Sequence, residues 1–93
     1  MDINFINRNA MLGIVIGEQS YQGKGLGKEI MELGLTYAFD YLQLNKIYLD
    51  VLESNNKAVS LYKKLGFIEE GLFRNHYWFN NEFHNVMRFS IFK

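Results

Sequence analysis

The 93-residue sequence predicts a small α/β (α+β) domain in which a βαβα segment is followed by an antiparallel C-terminal hairpin. Short apolar runs with the spacing of strands alternate with two longer stretches that have the spacing of helices. Two further strand-like runs near the C-terminus are separated by Asn80-Asn81, a pair that is typical of a tight turn. Strands joined through a helix are normally parallel, so we expect a mixed sheet with two helices.

The first clear strand signal is the β-branched run at residues 12–16, which we expect to be buried on both faces. A glycine-rich loop follows, with the sequence Gln22-Gly23-Lys24-Gly25-Leu26-Gly27. Glycine lets backbone amides approach a ligand closely, and a helix N-terminus favours an anion. The loop is therefore a candidate phosphate-binding site, to which Lys24 and Lys28 add positive charge. It lacks the ending of a nucleoside-triphosphate loop, and a plain strand-to-helix connection explains the glycines equally well.

The first helix is predicted to open near Leu26 and to carry two neighbouring apolar stripes, so we expect it to be largely covered. One stripe comprises Leu26, Ile30, Leu33, Tyr37 and Tyr41, and the other comprises Met31, Leu35, Ala38 and Leu42.

The second half of the chain begins with a strand at residues 46–51, where apolar side chains alternate with Tyr48 and Asp50. Ser54 or Asn55 can cap the next helix, which we expect to end at Gly66. Residues 67–73 and 76–79 are predicted strands, and the alternating run Phe83, Asn85, Met87, Phe89 and Ile91 completes the hairpin.

Composition narrows the class of protein. Ten basic and ten acidic residues give a formal net charge of zero without a basic run, so nucleic-acid binding is not expected. With no cysteine and only two separate histidines, His76 and His84, a metal site is not expected either. The sequence contains no apolar run long enough to cross a bilayer and no secretory signal, which together predict a cytoplasmic protein.

Two motifs together resemble a known family. Gln22-x-x-Gly25-x-Gly27 is followed, after a helix and a strand, by Asn55-x-x-Ala58-x-x-Leu61-Tyr62-x-Lys64-x-Gly66-Phe67. In that order the motifs are similar to the acetyl-CoA-binding half of GCN5-related N-acetyltransferases (the GNAT family). Residues 46–49, 67–71 and 79–83 resemble the polyamine acetyltransferases of this family most closely, and the ribosomal-protein-alanine acetyltransferases next.

The resemblance implies acetyl-CoA as co-substrate and assigns the residues that hold it. Backbone amides of the glycine loop would bind the pyrophosphate, and backbone groups of the preceding strand would bind the pantetheine arm and the acetyl carbonyl. Asn55 would contact the pantetheine, although a helix cap alone explains it, and Lys57 and Lys64 are either phosphate contacts or part of a solvated helix face. The implied cofactor-binding residues are Ile14, Val15, Ile16, Gln22, Gly23, Lys24, Gly25, Leu26, Gly27, Lys28, Asn55, Lys57 and Lys64.

Tyr62 matches the tyrosine that in this family gives a proton to the leaving thiolate. The transfer is chemically undemanding, because a thiol has a reference pKa of about 8.5 and a phenol one of about 10. Tyr62 also lies on the apolar stripe of its helix, so a role in the core is the alternative. For the general base, the candidates are Glu18 and Glu53 at strand ends, although each is more simply explained as a surface carboxylate.

Members of the family usually begin with further strands and two helices that form much of the acceptor pocket. Residues 1–93 are therefore interpreted as a single, partial GNAT domain, an N-acetyltransferase acting on a polyamine, another small amine or a protein N-terminus. A non-catalytic CoA-binding module, or an inactive fragment, is the alternative. Because the first strand has few candidate neighbours, we also expect a homo-oligomer or a part of a longer chain.

Overall fold

The computed structural model describes residues 2–15 and 25–93, and for residues 25–30 it describes the backbone alone. Strands and helices in this part of the chain follow the predicted mixed α/β pattern. The strands form one sheet in the order β1-β2-β3-β5-β4, in which β2 and β3 are parallel and the other neighbours antiparallel. The elements are β1 (Asp2–Asn4), β2 (Asn9–Val15), α1 (Gly25–Thr36), β3 (Lys46–Leu52), α2 (Asn56–Lys64), β4 (Ile68–Phe79) and β5 (Glu82–Phe92).

The apolar face of the sheet is centred on β3, as its alternating sequence predicts. Ile47, Leu49 and Val51 are each at most 1% exposed. Phe89 of β5 lies opposite Leu49 and is completely buried beside it. Since side chains alternate along a strand, Tyr48 and Asp50 face the other side of the sheet.

Both helices pack on this apolar face. Leu35 and Ala38 belong to the same buried cluster as Ala58 and Tyr62 of α2. After α1 the chain continues into a π-helical turn, Tyr37–Tyr41. Ala38 is the buried residue of that turn.

The expectation that the first helix is covered on both apolar stripes is wrong. Leu33 is 71% exposed, and Tyr37 and Tyr41 are 54% and 76% exposed. The two tyrosine rings stack on each other with centroids 5.1 Å apart. A helix that lies on a sheet buries only one side, and here that side carries the stripe with Leu35 and Ala38.

Strand β2 is less buried than predicted, since most of its residues are half-buried and only Ala10 is fully so. The few residues before it form β1, which pairs with the first part of β2 as Asp2 with Met11, Ile3 with Ala10 and Asn4 with Asn9. Among the described residues, β1 covers only residues 9–11 of β2, so the expectation that the strand from Leu12 has few outer neighbours stays a prediction.

The ends of α2 are set by local sequence. The side-chain oxygen of Asn55 accepts a hydrogen bond from the backbone N–H of Ala58 at 3.2 Å, which identifies Asn55 as the N-cap. Gly66 follows the C-cap residue Leu65. Its φ of +100° is a backbone conformation that residues with a Cβ rarely adopt. Both predicted boundaries are confirmed.

The hairpin turns at Asn80 and Asn81, whose φ values of +57° and +64° match a two-residue turn that fits the twist of the strands. The two strand segments predicted at residues 67–73 and 76–79 form one strand, β4, whose pairing with β5 is irregular between Phe73 and Tyr77. The irregularity accommodates Asn75, which has a φ of +49°, so a local break in the sequence pattern did not end the strand.

An ion pair crosses the face of the sheet that lies opposite the helices. Asp50 and Arg88 are directly opposite each other on β3 and β5, and two hydrogen bonds of 2.8 and 3.1 Å join them. The Arg88 guanidinium also lies over the rings of Tyr48 and Phe73, at 4.7 and 5.2 Å from their centroids. The pair raises the pKa of Arg88, chiefly through the hydrogen bond to Asp50.

A second ion pair lies on the same face. Lys46 contacts Glu70 at 2.5 Å, and the hydroxyl of Ser90 donates a hydrogen bond to the same carboxylate oxygen. The hydrogen bonds from Lys46 and then from Ser90 lower the pKa of Glu70. Two carboxylates of this face are therefore neutralised by cations of other strands, Asp50 by Arg88 of the adjacent β5 and Glu70 by Lys46 of β3, across β5.

We expect Arg88→Met to destabilise the fold by about 2–3 kcal/mol, between the values for exposed and for buried pairs, because it leaves the carboxylate of Asp50 without its cation. The Asp50 side chain is only 8% exposed. Lys46→Met is the matched control, and it should cost less than about 1 kcal/mol because Glu70 is 32% exposed. Urea unfolding measures both, and equal losses in the two variants would contradict the prediction.

Candidate functional site

The candidate site lies at the edge of the sheet where the two parallel strands end. Strand β2 ends at Val15 and β3 at Leu52, and because the strands are parallel, these carboxyl ends lie at one edge. Helix α2 begins four residues after β3, at the same edge. In open sheets of this kind, ligands commonly bind outside the carboxyl ends of the parallel strands.

Strand β2 carries a bulge immediately before this edge. Met11 pairs with Tyr48 and Ile14 with Asp50, so β2 uses one residue more than β3 over the same length. Gly13 lies in the bulge with a φ of +130°, and a Cβ added there would meet no atom of the described residues within 4 Å. A bulge changes the direction of backbone groups and interrupts the hydrogen bonds between the two strands, which is why bulges recur beside active sites.

The two predicted β2 contacts that the structure describes lie just beyond the bulge. Ile14 pairs with Asp50 and Val15 with Val51, and both pairs lie near the carboxyl edge. Paired residues of neighbouring strands share a face, so Ile14 and Val15 point to opposite faces and offer their backbone groups along the strand. Ile16 lies outside the described residues.

The glycine-rich segment is described only in its second part. Gln22, Gly23 and Lys24 lie outside the described residues, as does Glu18. Gly25 already begins α1, so Gly25, Leu26 and Gly27 form the first helical turn with Lys28, and the predicted loop ends earlier than expected. The first four N–H groups of an α-helix have no partner within the helix, so this turn still suits an anion.

Helix α2 contributes its N-cap to the same edge. Asn55 is half-buried and caps the helix with its side chain, and it makes a further interaction besides the cap. Lys57 and Lys64 are both exposed on α2. Lys57 lies in the first turn, and Lys64 is the last residue, about 12 Å from the helix start at 1.5 Å per residue. The structure therefore places Lys57, but not Lys64, at the carboxyl edge.

Tyr62 lies in the middle of the core and is 1% exposed. Its ring packs edge-on against Phe67, with centroids 5.5 Å apart and planes at 78°. The tyrosine thus lies on the face of α2 that belongs to the apolar core, as its helical stripe predicts. Its role as proton donor stays a prediction.

Sequence reasoning missed the surroundings of Glu53, the first residue after β3. The carboxylate oxygen Oε1 of Glu53 accepts a hydrogen bond of 3.0 Å from the side-chain amide of Asn85, and the backbone N–H of Glu53 donates one of 2.9 Å to the Asn85 carbonyl. The sequence pattern places Asn85 in the last strand and predicts no other role for it. The signal was available, because Asn85 is the one amide in an alternating run that is otherwise apolar.

The remaining candidates are the histidines. His84 contacts the carbonyl oxygen of Phe79 at 2.9 Å, and the His76 ring lies 5.1 Å from that of Phe73. Over residues 2–15 and 25–93, the structure contains no group of three or more His, Cys, Asp or Glu side chains arranged to hold a metal ion. The helices of this same part are all too short or too polar to cross a membrane.

Residues 4–67 match the acetyltransferase (GNAT) family. The chain therefore belongs to the GNAT family of acetyltransferases, as the two motifs indicated.

Relatives and solved structures agree with this membership. The chain is 39% identical over 93 residues to the spermidine N(1)-acetyltransferase of Escherichia coli strain K12, covering all of this chain and 50% of that protein. It is 40% identical over 91 residues to the enzyme of the same name from Vibrio cholerae, covering 98% of this chain and 52% of that one. A dodecameric structure of spermidine N-acetyltransferase from Vibrio cholerae superimposes with a TM-score of 0.84 at 40% identity, over 97% of this chain and 52% of that one.

The chain thus spans about half the length of the relatives it matches. The parts that it shares with them include the parallel strand pair, both helices and the hairpin.

Proposed function

We propose that the chain forms the acetyl-CoA-binding half of an N-acetyltransferase that transfers an acetyl group from acetyl-CoA to a primary amine. The observation that carries this proposal is the bulged parallel pair β2–β3 within the residues that match the family. Helix α2 begins at the carboxyl edge of this strand pair, so a single ligand could contact both the strand backbone and the N-terminus of the helix.

Acetyl-CoA fits the donor groups of this edge. We expect the first turn of α1, which begins at Gly25, to bind the pyrophosphate together with Lys28 and with Gln22, Gly23 and Lys24, which precede the helix in the sequence. No atom of the described residues lies within 4 Å of a Cβ added at Gly13, which leaves room among them for an extended chain along β2, whose Ile14, Val15 and Ile16 would offer backbone hydrogen bonds to it. Asn55, Lys57 and, further along α2, Lys64 complete the proposed contacts.

When bound, acetyl-CoA supplies an activated acetyl group as a thioester. The proposed contribution of β2 is a backbone N–H aimed at the oxygen of the acetyl carbonyl, where negative charge develops during attack by the amine. A single fixed donor of this kind is worth about 2.7–4 kcal/mol in acyl-transfer enzymes. The bulge supports this assignment because it frees backbone groups of β2 from the ladder with β3.

Tyr62 is the proposed proton donor to the departing thiolate. Two observations support it: its place in the family motif, and its position on the buried side of α2. Its burial keeps bulk water away from the hydroxyl, which favours transfer to a bound group over exchange with solvent.

The acceptor is proposed to be a primary amine of the polyamine, small-amine or protein-N-terminal class. The relatives named above are spermidine acetyltransferases, so spermidine is the first amine to test. A cytoplasmic location stays a prediction.

Gly25→Trp should abolish acetyl-CoA binding, with the dissociation constant rising at least 100-fold, because the ring would occupy the approach of the phosphates to the first turn of α1. Isothermal titration calorimetry measures this, and circular dichroism checks that the helices remain. Gly34→Trp is the matched control, since an added Cβ at Gly34 meets no atom of the described residues within 4 Å. Unchanged affinity in Gly25→Trp would refute the proposed phosphate site.

Tyr62→Phe should lower kcat by about 10²–10⁴-fold while the affinity for acetyl-CoA changes little, because the hydroxyl is needed mainly as the thiolate departs. Release of free thiol with spermidine as acceptor gives kcat, and calorimetry gives the affinity. Tyr37→Phe on the exposed side of the π-helical turn is the control. Turnover equal to that of the wild type would leave Tyr62 as a core residue only. Binding of acetyl-CoA without thiol release from any amine would favour a non-catalytic CoA-binding module.

We also propose that the chain forms a homo-oligomer or is part of a longer chain. A similar structure is dodecameric, and the side of α1 with Leu33 and Tyr41 leaves apolar area exposed that association would bury. Light scattering on the purified protein should give a mass at least twice that of one chain. A monomer at high concentration with one cooperative unfolding transition would overturn this proposal.

A further inference from the structure

Glu53 is a carboxylate with a fixed position at the carboxyl edge of β3. Its backbone N–H continues the ladder with β5 through the Asn85 carbonyl, and its side chain accepts a hydrogen bond from the Asn85 amide at 3.0 Å. Backbone and side chain are thus both tied to one residue of β5. An exposed glutamate has several free rotamers, and these two bonds select a narrow set of them.

Asn85 is itself held in one orientation. Its side-chain oxygen accepts a hydrogen bond of 2.9 Å from the backbone N–H of Asn75. Because the oxygen faces Asn75, the nitrogen of the amide must face Glu53, so the network fixes which end of the amide the carboxylate meets. Asn75 lies at the irregularity of β4, where its positive φ turns its N–H toward Asn85.

No cation of the described residues pairs with the carboxylate of Glu53, so its negative charge is available to a cationic group of a ligand. In the described part of the chain, the carboxylates of Asp50 and Glu70 are paired with Arg88 and Lys46. Glu53 is held instead by a neutral amide, and it is exposed. A carboxylate accepts about four hydrogen bonds, so one bond from Asn85 leaves capacity for the three donors of an ammonium group.

We propose that Glu53, held in place by Asn85, binds an ammonium group of the acceptor other than the amine that receives the acetyl group, which must be neutral to attack, and so determines the preference of the site for cationic acceptors. This inference rests on the proposed acetyl transfer and adds to it the residue that recognises the acceptor. The location supports it, because Glu53 lies two residues before Asn55, the cap of α2, at the edge where the acetyl group would be presented.

Glu53→Gln tests the role of the charge. The amide oxygen of the new side chain can still accept the hydrogen bond from Asn85, so the change removes the charge and keeps the local structure. With spermidine as acceptor, KM should rise at least 10-fold, whereas kcat and the KM for acetyl-CoA should change less than about two-fold. Glu69→Gln is the matched control, because it removes the same charge from an exposed residue of β4 and should leave all three constants unchanged.

A binding measurement tests the same site without turnover. In two-dimensional ¹H–¹⁵N NMR spectra, titration with spermidine in the absence of acetyl-CoA should shift the side-chain amide signals of Asn85. The shift should disappear in Glu53→Gln and persist in Glu69→Gln.

The two experiments separate this inference from the proposed function. Acetyl transfer with an unchanged KM in Glu53→Gln would overturn the role of Glu53 and leave the activity intact. Spermidine-induced shifts at Asn85 without any transfer would support the ammonium site and count against the activity. If spermidine leaves the Asn85 signals in place and no transfer occurs, the ammonium site and the activity are both refuted.

Discussion

The parallel pairing of β2 with β3 is the constraint on which the rest of the domain depends. Two parallel neighbours need a crossover between them, and in this chain α1 lies within that crossover. The pairing also brings both carboxyl ends to one edge, where α2 begins. One extra residue at the bulge of β2 is tolerated because β1 and β3 hold the strand on either side of residues 9–11. A shift of this pairing by one residue would turn Ile47, Leu49 and Val51 away from matching side chains of β2.

The two faces of the sheet differ in chemistry and in what they contact. The face toward the helices is an apolar core, in which the side chains of β3 and β5 meet those of both helices. The opposite face carries ionisable groups, and the carboxylates of Asp50 and Glu70 there are each paired with a cation of another strand. Such pairs contribute little net stability, but they prevent an uncompensated charge on this face of the sheet. Glu53, beyond the end of β3, is outside this set, which gives its charge a different use.

Sequence reasoning succeeded where structure is determined locally. The alternation in β3, the cap at Asn55, the stop at Gly66 and the turn at Asn80-Asn81 each depend on a few neighbouring residues, and all four are confirmed. It failed where the structure depends on contacts between residues that are far apart in the sequence. Neighbouring stripes on α1 are equally apolar in sequence, and only packing on the sheet selects Leu35 over Leu33. The contact of Glu53 with Asn85 spans 32 residues and depends on strand register, which periodicity does not specify.

The most direct test of the account is hydrogen–deuterium exchange of the backbone amides with and without acetyl-CoA. If the bulged strand pair and the start of α1 hold the co-substrate, exchange should slow at residues 14–16 and 22–28 when acetyl-CoA is added. Residues 74–84 of the hairpin, which lie beyond the pairing of β3 with β5, should exchange at the same rate in both samples. Unchanged exchange at residues 14–16 and 22–28 under saturating acetyl-CoA, or slowing confined to the hairpin, would contradict the account.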